Sequence, residues 1–253
     1  MREPSAGRVF REHLSLVGRV GGGELGGFIA VAFLLCITAA AKVTATHSYA
    51  DRVLGVQFLA LVFAAYWPVV VWRDEPPRRR LHLRSLPVDP ALAALLRVAA
   101  GGCWLVAALL TTNLAAAALG AAIGRGAEFL AITPLAWLAY GFGVAIVYLL
   151  ASAAALVSDN PVRWIVLLMA FVYAPPLLLE VPSALHFTFR FGPSALYRGA
   201  FGFDTATRWA VTEAQLEASL AGFAVGRWLL ASVVWLAATI LLVVTAARRR
   251  PDV

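Results

Sequence analysis

Six long apolar runs, separated by short charged segments, leave this chain few ways to fold. Crossing the hydrocarbon core of a bilayer takes about 20 helical residues. The runs Val53 to Trp72, Val98 to Ile123 and Phe129 to Val157 carry no charge, and Gly26 to Thr44 is interrupted only by Lys42 near its end. Trp228 to Ala247 is a further full-length run. Trp164 to Leu179 is shorter and closes on Pro175, Pro176 and Glu180. Charged residues make up 14% of the 253 positions and apolar ones 61%, whereas a soluble domain carries about 25% charged residues. The pattern predicts an all-α, polytopic membrane protein with six transmembrane helices in a single membrane domain over 26–247. A cytoplasmic amphipathic segment over 1–25 precedes it, and a tail over 248–253 follows.

The net charge of +7 raises nucleic acid as a partner. The arginines cluster at the ends of apolar runs, without the interleaved aromatics that a single-strand binder uses as stacking platforms, so they read as topology signals. Cytoplasmic loops collect Arg and Lys. With six crossings, one side gathers the N-terminal arginines, Arg73, the triplet Arg78 to Arg80, Arg84, Arg163 and the triplet Arg248 to Arg250. The other side holds Arg52, Arg125, Arg190, Arg198 and Arg208. Both termini are therefore expected on the cytoplasmic face of a bacterial-type inner membrane.

Upstream of the first run, "GRVFREHLSLVGRV" places Val9, Phe10, Leu14, Val17 and Val20 near one helical stripe, with Arg8, Arg11, Glu12 and Arg19 mostly off it. That spacing predicts an amphipathic helix on the inner surface, with a frayed basic tail as the alternative. A basic region running past twenty residues, followed by a run long enough to span, argues for a retained helix over a cleaved signal peptide. Gly21, Gly23 and Gly26 match the G-x-G-x-x-G of dinucleotide sites. No strand pattern precedes them and no acidic ribose partner follows at the required distance, so a flexible corner between surface helix and first span is expected.

Chemistry inside the membrane needs ionisable groups at depth, and the runs offer almost none. The histidines His13, His47, His82 and His186 show no H-E-x-x-H spacing, and Cys36 and Cys103 lie alone in apolar runs. "FGPSAL" lacks the G-x-S-x-G turn of a hydrolase nucleophile. Neither a catalytic residue nor a metal or cofactor site is expected. A phosphate-binding G-x-x-x-x-G-K-[ST] requires a lysine that this chain, with Lys42 alone, does not place there. Thr111, Thr112 and Asn113 in the third run either line a path or glue helices together, small polar residues doing the latter for about 0.6 kcal/mol each. The prolines at Pro175 and Pro176 free backbone carbonyls that need partners. Glu180 beyond them either faces a polar outer cavity or sits at headgroup level.

The densest charge falls in the inner loop "RDEPPRRRLHLRSLP", where Pro76, Pro77 and Pro87 forbid a continuing helix. Asp89 then offers an N-cap and Pro90 a first helical position. A surface helix of about two turns is expected from Pro90 to Arg97. It would bend at Gly101 and Gly102 into the third span and leave Arg97 at the interface, where it avoids the ~3 kcal/mol that a mid-membrane arginine costs on insertion scales.

A basic inner loop followed by "LPVDPALAALLRVAAG" resembles the type-2 ABC exporter permeases, with the match concentrated between Ser85 and Gly101. The resemblance implies that Arg84, Ser85, Leu86, Pro87, Val88, Asp89 and Arg97 form the coupling element that docks a partner ATPase. It also implies a bent fifth span leading to short outer helices before the sixth. "FGPSALYRGAFG" and "VTEAQLEASLAGF" fill that interval, the latter with a capping box, Thr212 and Gln215, and a staple, Val211 and Leu216. By that resemblance the chain would pair with a second permease chain and with cytoplasmic ABC ATPase subunits holding ATP and magnesium. It would move a substrate by alternating access, through a path including Thr111, Thr112, Asn113, Pro175, Pro176 and Glu180. Scarcity of charge favours an apolar or amphipathic substrate. The alternative is a membrane scaffold or assembly factor that docks a partner through the same loop without transport. In both readings membrane lipid, and no nucleic acid, surrounds the chain.

Overall fold

A computed structural model describes residues 6–41, 49–73, 89–130, 132, 134–158, 160–164, 166–167 and 225–248. Among the described residues run the helices α1 (Ala6–Ala41), α2 (Tyr49–Val71), α3 (Pro90–Ala122), α4 (Gly126–Leu130), α5 (Pro134–Val157) and α6 (Val225–Arg248), and 161–164 and 166–167 are also helical. There is no strand among the described residues, so the all-α expectation holds. Most of the expected fifth span, the short outer helices and the C-terminal tail lie outside the described residues.

Among the described residues fewer than the expected six crossings are seen. Among the described residues three helices are long and apolar enough to span, α1, α3 and the Tyr140–Val157 part of α5. These make the chain a membrane-embedded protein. The six spans counted from apolar runs are not supported. α2 and α6 are helices of 23 and 24 residues, within which the stretches described as apolar are Leu59–Val71 and Ser232–Arg248. Ala60, Leu61, Phe63, Ala64, Ala65, Trp67, Val70 and Val71 of α2 are all buried. Val62 and Tyr66 of the same helix are 37% and 47% exposed, so its apolar residues divide between a protein-facing and an outward face, which an apolar run alone does not tell apart.

Packing fixes the directions. Phe28 stacks on Phe63 with centroids 4.2 Å apart, and Phe63 on Trp67 at 5.4 Å; at the other end Cys36 meets Tyr49 and Ala116. Hence α1 runs antiparallel to α2 and parallel to α3. Tyr148 of α5 bonds near the start of α3, and α5 packs on α2 and α6. The termini of the long elements follow local sequence. Asp89 caps α3, its carboxylate accepting from the Ala91 N–H at 3.1 Å, with Pro90 at the first position. At the far end Gly124 has φ +74°. Around it the Arg125 N–H reaches the Gly120 carbonyl and the Gly124 N–H the Ala121 carbonyl, the paired bonds of a Schellman stop.

Three local expectations are corrected. First, α1 is one 36-residue helix from Ala6 to Ala41, without a break at the glycines. Val17 is buried and Phe10 and Leu14 pack on the core, so the apolar stripe covers neighbouring helices. Gly21 is there for proximity: a methyl group on it would overlap the Trp67 ring. Second, α3 is continuous through Gly101 and Gly102. A Cβ at Gly101 would stand 2.6 Å from the Tyr148 hydroxyl and 3.0 Å from a Val71 methyl, so this glycine also serves close approach and not a bend. Third, the run Phe129 to Val157 is divided between α4 and α5, with Pro134 opening α5.

Candidate functional site at the arginine-rich end

The basic segment 74–88 joins the end of α2 to the start of α3 in sequence, so the junction of those helix ends sets how its two ends are held. The last carbonyls of any helix lack partners within it. At α2 that need is met by a neighbour. Arg97, two turns into α3, donates from Nε at 3.0 Å and from Nη2 at 2.7 Å to the Val71 carbonyl. Its guanidinium lies over the Trp72 ring, 4.8 Å from the centroid. A cation at a helix C-terminus is favoured by the macrodipole, and the flat guanidinium stacks on indole while its edge donates. Arg97 is 1% exposed, which corrects its expected place at the interface. It is buried in protein, against polar and aromatic partners that replace water.

Around it, other side chains tie the helices by donating to backbone carbonyls. Trp67 Nε1–H donates to the Gly101 carbonyl at 2.8 Å, and the Tyr148 hydroxyl to the Val98 carbonyl at 2.6 Å. Trp104 Nε1–H reaches back from α3 to the Leu14 carbonyl at 2.8 Å. A Cβ at Gly18 would fall 2.6 Å from that indole. Beyond the end of α2, Arg73 forms an ion pair with Glu24 and donates to the Val20 carbonyl at 3.2 Å. α1, α2, α3 and α5 are thus joined at one end by donors from three helices. In a low-dielectric setting each such bond costs more to leave unmade than it contributes when made.

Of the expected coupling residues, the structure brings Asp89 and Arg97 onto one helix start, Asp89 exposed at its tip and Arg97 buried beneath. Arg84, Ser85, Leu86, Pro87 and Val88 lie outside the described residues, as do Pro175, Pro176 and Glu180. Thr111, Thr112 and Asn113 do not converge. Thr111 is exposed and bonds the Ala107 carbonyl, while Thr112 and Asn113 are half-buried and both bond the Leu109 carbonyl, each at 2.9 Å. The two threonine hydroxyls are turned back onto their own helix, whereas the Asn113 side chain also hydrogen-bonds Tyr140 of α5.

Sequence reasoning did not find the second end of α2. Glu128 of α4 accepts from the Tyr49 N–H at 2.7 Å and from Arg125 at 2.6 Å. Partial burial alone would raise its pKa, but the Tyr49 N–H and the Arg125 guanidinium together hold it below the usual carboxylate range. The Tyr49 hydroxyl donates to the Ala116 carbonyl at 2.6 Å. No group of three metal-ligating side chains occurs among the described residues.

Comparison with family models, with curated proteins and with solved structures returns no match to this chain. The functional argument therefore stands on the residues and their geometry.

Proposed function

We propose that this chain is the transmembrane subunit of an ATP-driven ABC exporter, whose ATPase is a separate cytoplasmic chain. In this reading six helices cross a bacterial-type inner membrane, both termini are cytoplasmic, and two permease chains work by alternating access on an apolar or amphipathic substrate. The observation that carries it is the Arg97 clasp. A loop through which a motor pushes must be anchored, or its motion is spent in the loop itself. Here the helix entering the loop and the helix leaving it are fastened to each other by a buried bidentate contact on Val71. Force applied between Arg84 and Asp89 would reach α2 and α3 together, and Trp67, Tyr148 and Trp104 would pass it to α1 and α5.

The test is a complex purified from native membranes with its neighbouring ATPase, the gene for which should carry a phosphate-binding loop. Substituting Leu86 and Pro87 should abolish stimulation of ATP hydrolysis by the membrane subunit while leaving the complex assembled. Unchanged stimulation would remove the coupling assignment. Co-purification of a partner without any ATPase would favour the scaffold.

A further inference from the structure

We infer that the exposed face of α1 holds an anionic phospholipid from the leaflet on the arginine side, with Arg11 and Arg19 on its phosphate. The face is set by helical spacing. Arg8, Arg11, Ser15 and Arg19, then Gly22 and Gly26, then Ala30 and Leu34 follow one another at intervals of three or four, and all are exposed. Its character changes along the axis, from cationic, through backbone left uncovered at the glycines, to apolar at Val31 and Leu34, 48% and 60% exposed. Phosphate, glycerol and acyl chain present the same order of chemistry.

The charges on this face favour an anion. Arg19 makes no ion pair among the described residues. Arg11 Nε–H makes a long bond, 3.4 Å, to the Gly7 carbonyl of its own helix. Arg8 pairs with Glu12 at 3.2 Å with both side chains more than two-thirds exposed, a contact of the kind worth at most about 1 kcal/mol. Glu24, the other carboxylate on α1 among the described residues, is taken by Arg73. Arginine also matches phosphate geometry by bidentate donation. The assignment needs the chain to lie in a membrane and does not depend on a partner ATPase.

The full chain, purified alone, is placed in discs of phosphatidylcholine with and without added phosphatidylglycerol, and the lipids retained on release are read by native mass spectrometry. Phosphatidylglycerol should be retained in preference to phosphatidylcholine. Arg11→Gln and Arg19→Gln should each weaken that retention about fivefold, following the ~1 kcal/mol per basic residue at an anionic surface. Arg248→Gln, on α6, should leave it unchanged. Because the substituted side chains are exposed, folding is preserved, and an unchanged melting temperature in phosphatidylcholine verifies it. Equal retention of the two lipids, variants that hold phosphatidylglycerol as well as the parent does, or an equal loss with Arg248→Gln would overturn the assignment. So would a dimer in the discs that Arg19→Gln dissolves, since a second copy would then occupy the face.

Discussion

The two ends of α2 are each met by a charge of the sign its dipole favours, yet the two contacts are built differently. At the C-terminus Arg97 is enclosed, shares the Val71 carbonyl through two donors and stacks on Trp72. At the N-terminus the Glu128 side chain is 25% exposed, sits on a five-residue helix and divides itself between the Tyr49 N–H and Arg125. The same electrostatic principle gives a strong joint where water is excluded and a weak one where it is not. The Arg97 joint is therefore the stronger of the two, and the Glu128 joint the one open to solvent.

The largest effect that would break this contrast is at Arg97. Arg97→Met should lower stability by about 3 kcal/mol, since it removes charge-assisted bonds to a buried carbonyl together with the stack on Trp72. Arg97→Lys, which keeps the charge but not the fork, should recover only part. Thermal unfolding in detergent measures both, and a loss no larger than that of Glu128→Gln would erase the distinction between the ends. Next comes close packing. Gly101→Ala should cost about 2 kcal/mol by overpacking against Tyr148 and Val71. Gly22→Ala, with nothing within 4 Å of its new carbon, should instead stabilise α1 by up to about 1 kcal/mol.

Smaller still are the hydroxyl staples. Tyr148→Phe and Tyr49→Phe should each cost about 0.6 kcal/mol; a large difference between them would show that hydroxyls also separate the two ends. The smallest effect is the pH response of Glu128. Its pKa is depressed on folding, so its contribution is complete above the ordinary carboxylate value and is lost as pH falls through the lower, folded one. Acid unfolding of Glu128→Gln should therefore lack that component. The difference from the parent should stay under about 1 kcal/mol and should appear as lost Tyr49 amide protection in hydrogen exchange, with Val71 and Arg97 unaffected.

Much of the fold was legible because it depends on neighbours in sequence. Asp89 before Pro90 announces a helix start whatever the rest of the chain does. The stripe Phe10, Leu14, Val17 announces a buried face. What that face buries against was not legible: Leu14 meets Trp104, ninety residues away. The glycines misled for a related reason. Gly21 and Gly101 read as bends, because flexibility is a local property, while the indole and phenol that require their smallness come from α2 and α5. Arg97 was expected to remain near water, because the sequence shows the cost of burying it and not the carbonyl and ring that offset that cost. Glu128 carried no signal, since its partner is a backbone N–H.

The sequence by itself determined that the chain is helical, that it lives in a membrane, and where α3 begins, all of which follow from residue type and spacing over a few turns. Tertiary structure alone decided which apolar faces pack against other helices and which stay exposed, and that an arginine bolts α2 to α3. Hydrophobicity measures only the avoidance of water. What takes water's place is settled when distant segments meet.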